Sequence, residues 1–162
     1  MKKTGLLLLL CVVLLTGCSI SHHGEDLTGF VEKMNDLNEA YLLTAEGFVF
    51  SEEDNSIYKF FVVDDEDVLL SFSKDTKGRL TSISITTNAD ITKKNAVFEF
   101  CKNALSAFID NDSIYNETVN SELFNSELNK LSKETVKIKS GNVELLLDVT
   151  TLGTVITAYK DI

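Results

Sequence analysis

Leu27, Phe30, Val31, Met34 and Leu37 recur at helical spacing, with charged and amide side chains between them. The pattern predicts a helix over 26–38 that buries one stripe. Asp26 stands where a cap belongs, and its charge suits the positive end of the helix dipole. Asn38 to Ala45 reads equally as a helical extension or a strand. From Gly47 the period changes. Phe48-Val49-Phe50 and the run Ile57 to Val63 are aromatic and β-branched, as strands prefer, and 51–56 between them reads as a hairpin connection. Asp64-Asp65-Glu66-Asp67 turns the chain into Val68–Ser73, and Lys74 to Gly78 turns it again into Arg79–Thr87. In that last strand Ile83 and Ile85 alternate with Ser82, Ser84 and Thr86, which marks a sheet with one dry and one wet face.

A second helix, opened by Asp90 or Thr92, runs to about Asp110 with Val97, Cys101, Leu105 and Phe108 as its stripe, reinforced by Phe100 and Ala104. Asn111 to Glu117 reads as a polar stretch. Val119, Leu123, Phe124, Leu128 and Leu131 predict a third helix. Strands follow at Thr135–Lys139, Val143–Val149 and Thr154–Tyr159, with turns at Ser140-Gly141-Asn142 and Thr150–Gly153. The expected fold is α+β, an antiparallel sheet of about seven strands with two or three helices on one face. At an offset of 75, Val68, Leu70, Thr76 and Gly78 match Val143, Leu145, Thr151 and Gly153, and Leu80 faces Val155. Chance identity among strand residues and a genuine repeat are both open. A genuine repeat implies two α–β halves sharing one sheet.

Ahead of these elements lies a different pattern. Lys2-Lys3 precedes an apolar run from Leu6 to Leu15, and Leu15-Thr16-Gly17-Cys18 closes it. Charged, apolar and cleavage regions in that order make a secretory leader. The run is half the roughly 20 residues a membrane-crossing helix needs. As a buried core helix it would be apolar on every side and uncapped. The Leu-Thr-Gly-Cys ending resembles the lipobox of bacterial lipoprotein precursors. The resemblance covers residues 1–18 and implies diacylglyceryl transfer to the Cys18 thiol, cleavage between Gly17 and Cys18, and often acylation, as with palmitate, of the new amine. Two or more chains give stable attachment where one does not. Ordinary signal cleavage near the same point is the alternative. The domain plan is therefore a lipoprotein signal peptide over 1–17, a flexible tether over 18–25 and one α+β domain over 26–162.

Removing residues 1–17 takes Lys2 and Lys3 and no acid, leaving 13 basic against 25 acidic side chains, a charge of −12 over 145 residues. Nucleic acid is excluded as a partner, since it requires a basic face. Anionic headgroups repel such a chain, so membrane residence falls to the lipid. A cationic partner is tolerated, although surplus acid also serves solubility alone. Cys11 leaves with the leader and Cys18 takes lipid, so Cys101 has no internal disulfide partner; a reactive thiol or a bridge between chains is the alternative to helix packing, which its apolar neighbours favour.

The chemistry expected of the chain is sparse. His22 and His23 are the only histidines, and both fall in the tether, where no scaffold orients a general base. Two adjacent histidines are too few ligands for a metal site. The acidic turns at 52–54 and 64–67 lack the alternating ligands and glycine of a calcium loop. No catalytic residue, metal site or cofactor is expected. Asp75 to Ile83 is similar to a hairpin of small bacterial envelope lipoproteins and inhibitor-like domains, which implies a fold type and no activity. The expected function is a membrane-anchored, non-enzymatic lipoprotein that binds another envelope protein or a ligand. The alternatives are a structural component of an envelope complex and a hydrolase built from carboxylates. The expected location is the extracytoplasmic face of the cell membrane, or the outer membrane in a two-membrane cell.

Overall fold

The computed structural model describes residues 26–53, 55–130, 135–150 and 153–161. The leader, Gly17-Cys18 and the tether lie outside these residues, as do Asp54, Leu131 and Thr151-Leu152. The first helix, α1 (Leu27–Leu37), is capped as its sequence suggests: the Asp26 carboxylate accepts from the Gly29 amide at 2.8 Å. It stops because Asn35 turns its side chain onto the following segment. That amide donates to the Leu43 carbonyl at 2.8 Å and accepts from the Leu43 N–H at 2.6 Å. The segment after Leu37 is thereby held as neither helix nor strand, with Leu43 buried and Tyr41 set edge-on to Phe100.

Four strands then form a meander: β1 (Val49–Ser51), β2 (Ser56–Val63), β3 (Glu66–Lys74) and β4 (Leu80–Thr87). Between β2 and β3 only Asp64 and Asp65 turn, both at positive φ (51° and 63°). A two-residue turn of that hand matches the twist of the strands it joins, and aspartate tolerates the conformation. Three further strands, β5 (Val136–Ser140), β6 (Val143–Thr150) and β7 (Gly153–Lys160), complete one antiparallel sheet in the order β1-β2-β3-β4-β7-β6-β5. The fold class is α+β, as expected.

The two meanders meet at their final strands, so each half is helix followed by meander, with the seam at β4 and β7. Ladder register refines the repeat. Val68 lies opposite Thr87 and Val143 opposite Lys160. An offset of 75 between β3 and β6 therefore demands 73 between β4 and β7, because the second turn is two residues shorter. Val68 with Val143 and Leu70 with Leu145 survive as equivalents, all four fully buried. The pairing of Gly78 with Gly153 does not. Gly78 is a turn residue with open space beside it. Gly153 opens β7, where a Cβ would stand 2.1 Å from the Thr87 carbonyl oxygen.

The helical connection departs from expectation in three places. The second helix, α2, spans Asn95–Ile109 and does not begin at Asp90 or Thr92. Asp90 is consumed by its own turn, accepting from the Thr92 amide, the Thr92 hydroxyl and the Lys93 ammonium. The polar stretch after Asp110 is a helix, α3 (Asp112–Thr118), capped by Asn111 through the Ile114 amide at 3.1 Å. The third expected helix is the shorter α4 (Glu122–Lys130). Val119 closes α3 instead, and Leu123 is half exposed while Phe124 is buried. The α2 stripe is buried throughout, including Cys101 and Phe108. Phe30 of α1 packs edge-on to Phe72 of β3 at 4.8 Å, and Phe100 of α2 lies 5.6 Å from Phe61 of β2. Both helices therefore lie on one face. There, Ile57, Phe72, Ile83, Ala158, Leu145 and Ile138 are successive neighbours across six strands, every one buried.

Candidate docking face

Strand geometry sends alternate side chains to opposite faces, so the residues beside that buried row form the other face. Tyr58, Ser71, Ser84, Thr157, Leu146 and Lys137 are successive neighbours there, none of them buried. The face changes character from edge to edge. On β1 to β3 it is apolar: Val49 lies opposite Tyr58, and Phe60 opposite Leu69. Phe60 is 68% exposed and Val62 64%. Tyr58 and Phe60 stand edge to face at 6.3 Å, so the two rings form one surface. Along β3, β4 and β7 it is a belt of hydroxyls in which Ser84 and Thr157 bond across the seam at 3.2 Å. On β5 and β6 it is ionic, with Lys137 paired to Glu144 at 2.7 Å.

β2 carries large apolar side chains on both sides, which separates it from the alternating β4. Its inward residues Ile57, Phe61 and Val63 serve the core, and Lys59 between them lies over the Phe48 and Phe61 rings. Of its outward residues, Phe60 and Val62 are exposed and Tyr58 is half-buried. Burying a side chain of this size gains about 1.5–3 kcal/mol. Such an exposed apolar cluster makes this face the candidate contact surface.

The charges around the strip are uneven. Val62 lies opposite Asp67 on the open face, and the turn Asp64-Asp65 follows directly. Lys94, at the start of α2, reaches Glu66 at 3.1 Å and Asp64 at 3.9 Å, and its pKa is raised chiefly by Glu66, with Asp64 and Asp65 adding to it. Neither Asp65 nor Asp67 forms an ion pair among the described residues. At the other end of β2 the neighbours are Ser73, the β3–β4 turn, where Asp75 is bound to Arg79, and the β1–β2 connection with the exposed Glu52 and Glu53.

The remaining candidate groups are structural in their surroundings. Burial pushes the Cys101 thiol up to about 12, which keeps it a thiol. At Asp75, partial removal from water opposes the anion, but the amide and guanidinium of Arg79 and the Lys77 amide outweigh it and hold the carboxyl below its usual range. Asp90 is also held down, chiefly by the Lys93 ammonium and the Thr92 hydroxyl. A general acid at neutral pH needs the opposite shift. Among the described residues no three His, Cys, Asp or Glu side chains are grouped to hold a metal ion, and no helix is long and apolar enough to cross a membrane. Cys18, His22 and His23 lie outside the described residues.

Sequence reasoning recognised β2 as a strand but did not separate its two sides, so Val49, Tyr58, Phe60, Val62 and Leu69 were missed as a surface. The available signal was the contrast between β2 and β4, since only β4 alternates. No protein-family model, curated protein or solved structure matches the chain.

Proposed function

We propose that this chain is a lipid-anchored envelope lipoprotein whose α+β domain is a non-enzymatic binding module. The observation that carries the reading is the exposed strip of Val49, Tyr58, Phe60, Val62 and Leu69 on a sheet face that no helix covers among the described residues. The sequence supports the anchor: leader and lipobox stand in register, with Cys18 as the attachment point. The eight residues from Cys18 to Glu25 span at most about 28 Å when extended. A partner must then come from the membrane or the layer next to it, which favours another envelope protein.

The test is a pull-down from detergent-solubilised membranes with the full chain and with Phe60→Ser. The substituted position is exposed, so stability should change by no more than about 0.5 kcal/mol. Loss of a specific companion from the variant supports the reading. Equal recovery with both chains rejects the open face as the site. A companion that stays through long washing points to the assembly-component alternative, and one that exchanges points to a binding module.

A further inference from the structure

We infer that the apolar strip docks a protein whose contact surface has an apolar centre and a basic end, the basic end seated against Asp65 and Asp67. The inference rests on the reading of the open face as a binding surface and specifies what that surface accepts. Three observations carry it. The strip is apolar along Tyr58, Phe60 and Leu69, so its occupant must bring apolar side chains. Among the strand positions of β1 to β3 on the open face the acid is Asp67, opposite Val62, with the Asp64-Asp65 turn following directly, while at the other end the exposed Glu52 and Glu53 belong to the β1–β2 connection. Lys94 pairs with Glu66 and Asp64 from the helical side of the sheet, and neither Asp65 nor Asp67 forms an ion pair among the described residues.

Charge complementarity then selects among occupants. A second copy would bring its own Asp65 and Asp67 to the same face, on a chain that already carries a net charge of −10. Like charges brought together at an interface cost several kcal/mol. A bilayer surface would have to accept the Asp67 carboxylate together with Val62, and removing an unpaired carboxylate from water is expensive. A basic protein surface meets both demands. It covers the rings, and it supplies Lys or Arg where desolvated carboxylates need a partner.

The test uses the full anchored chain in the membranes of cells that make it, with Phe60 replaced by photoreactive p-benzoylphenylalanine and, as a control, Leu123 replaced in the same way. The expected result is an adduct to another protein from position 60 and not from position 123. Its cross-linked peptide should carry Lys or Arg within a few residues of apolar side chains. Asp65→Asn with Asp67→Asn should lower the adduct yield about tenfold, since asparagine keeps the left-handed turn while removing both charges. Raising salt from about 0.05 M to about 0.5 M should lower it with the unaltered acids, a readout that does not depend on the variant folding. The same adduct undiminished by both the substitutions and salt overturns the basic-partner inference and leaves the binding reading standing. Adducts only to lipid or to a second copy, or no adduct from position 60, overturn both.

Discussion

Phe108→Ala tests whether α2 is the lid that closes the sheet. The ring is fully buried, and the Lys160 ammonium of β7 stands 4.7 Å from its centre, so it joins the helix to the second half of the sheet. Truncating a buried phenylalanine costs about 3–5 kcal/mol, the lost transfer energy plus the cavity left behind. The lysine contact accounts for about 0.5–1 kcal/mol of that. Against a domain stability of about 5–15 kcal/mol this is a large fraction. With a urea slope near 2 kcal/mol/M, the unfolding midpoint should fall by about 2 M. The measurement is equilibrium unfolding of a chain beginning at Gly24, followed by far-ultraviolet circular dichroism and by tyrosine fluorescence, since the chain has four tyrosines and no tryptophan. Leu123→Ala, on the half-exposed side of α4, should move the midpoint by less than about 0.3 M and serves as the control. A fall of less than about 0.5 M in Phe108→Ala, the scale of an exposed substitution, would show that α2 does not pack as described.

Cys18→Ala should abolish incorporation of labelled fatty acid, and labelling that persists would remove the basis for the anchor. Cys101 should resist thiol reagents until the domain unfolds, because burial holds its pKa at about 12; alkylation of the native protein at the rate of a free thiol refutes that placement. Asp75→Asn should lower the melting temperature at neutral pH. The folded carboxyl lies below its ordinary range, so its stabilisation is complete above the unfolded value of about 3.9 and is lost as pH falls through the folded value. The gap between variant and parent should therefore close in acid, and a gap of constant size would contradict the linkage.

The sequence made most of the sheet legible because its strands are bounded by glycine, asparagine or aspartate turns, and because one side of each had to be dry. The α2 stripe was legible for the same reason, since six of its side chains share a buried line. What escaped notice lacked a periodic signal. Asp112 to Thr118 folds as a helix on the strength of the Asn111 cap and the half-buried Ile114 and Tyr115, too few apolar positions to show a period. Asp90 is a good capping residue, and it does cap, but it caps a separate turn before the helix. The open-face strip was hidden by its own hydrophobicity. A run interrupted only by Lys59 reads as a strand buried on both sides, and only the order of strands reveals that one side of β2 faces water.

The seam between β4 and β7 has a consequence for how the molecule is made. Synthesis delivers residues in order, yet β7, the last strand of the sheet to emerge, belongs in the middle. Until Gly153 to Lys160 leave the ribosome, β4 and β6 each carry a row of unsatisfied backbone groups along a full-length edge. Raw edges of this kind recruit neighbouring chains. The nascent protein therefore passes through a stage in which both halves are present but unjoined, and its exposure to aggregation is set by how quickly β7 arrives. Interrupting translation before Gly153 yields two unsealed sheets, not a smaller working domain, and quality control acting on such chains would meet them at this strand.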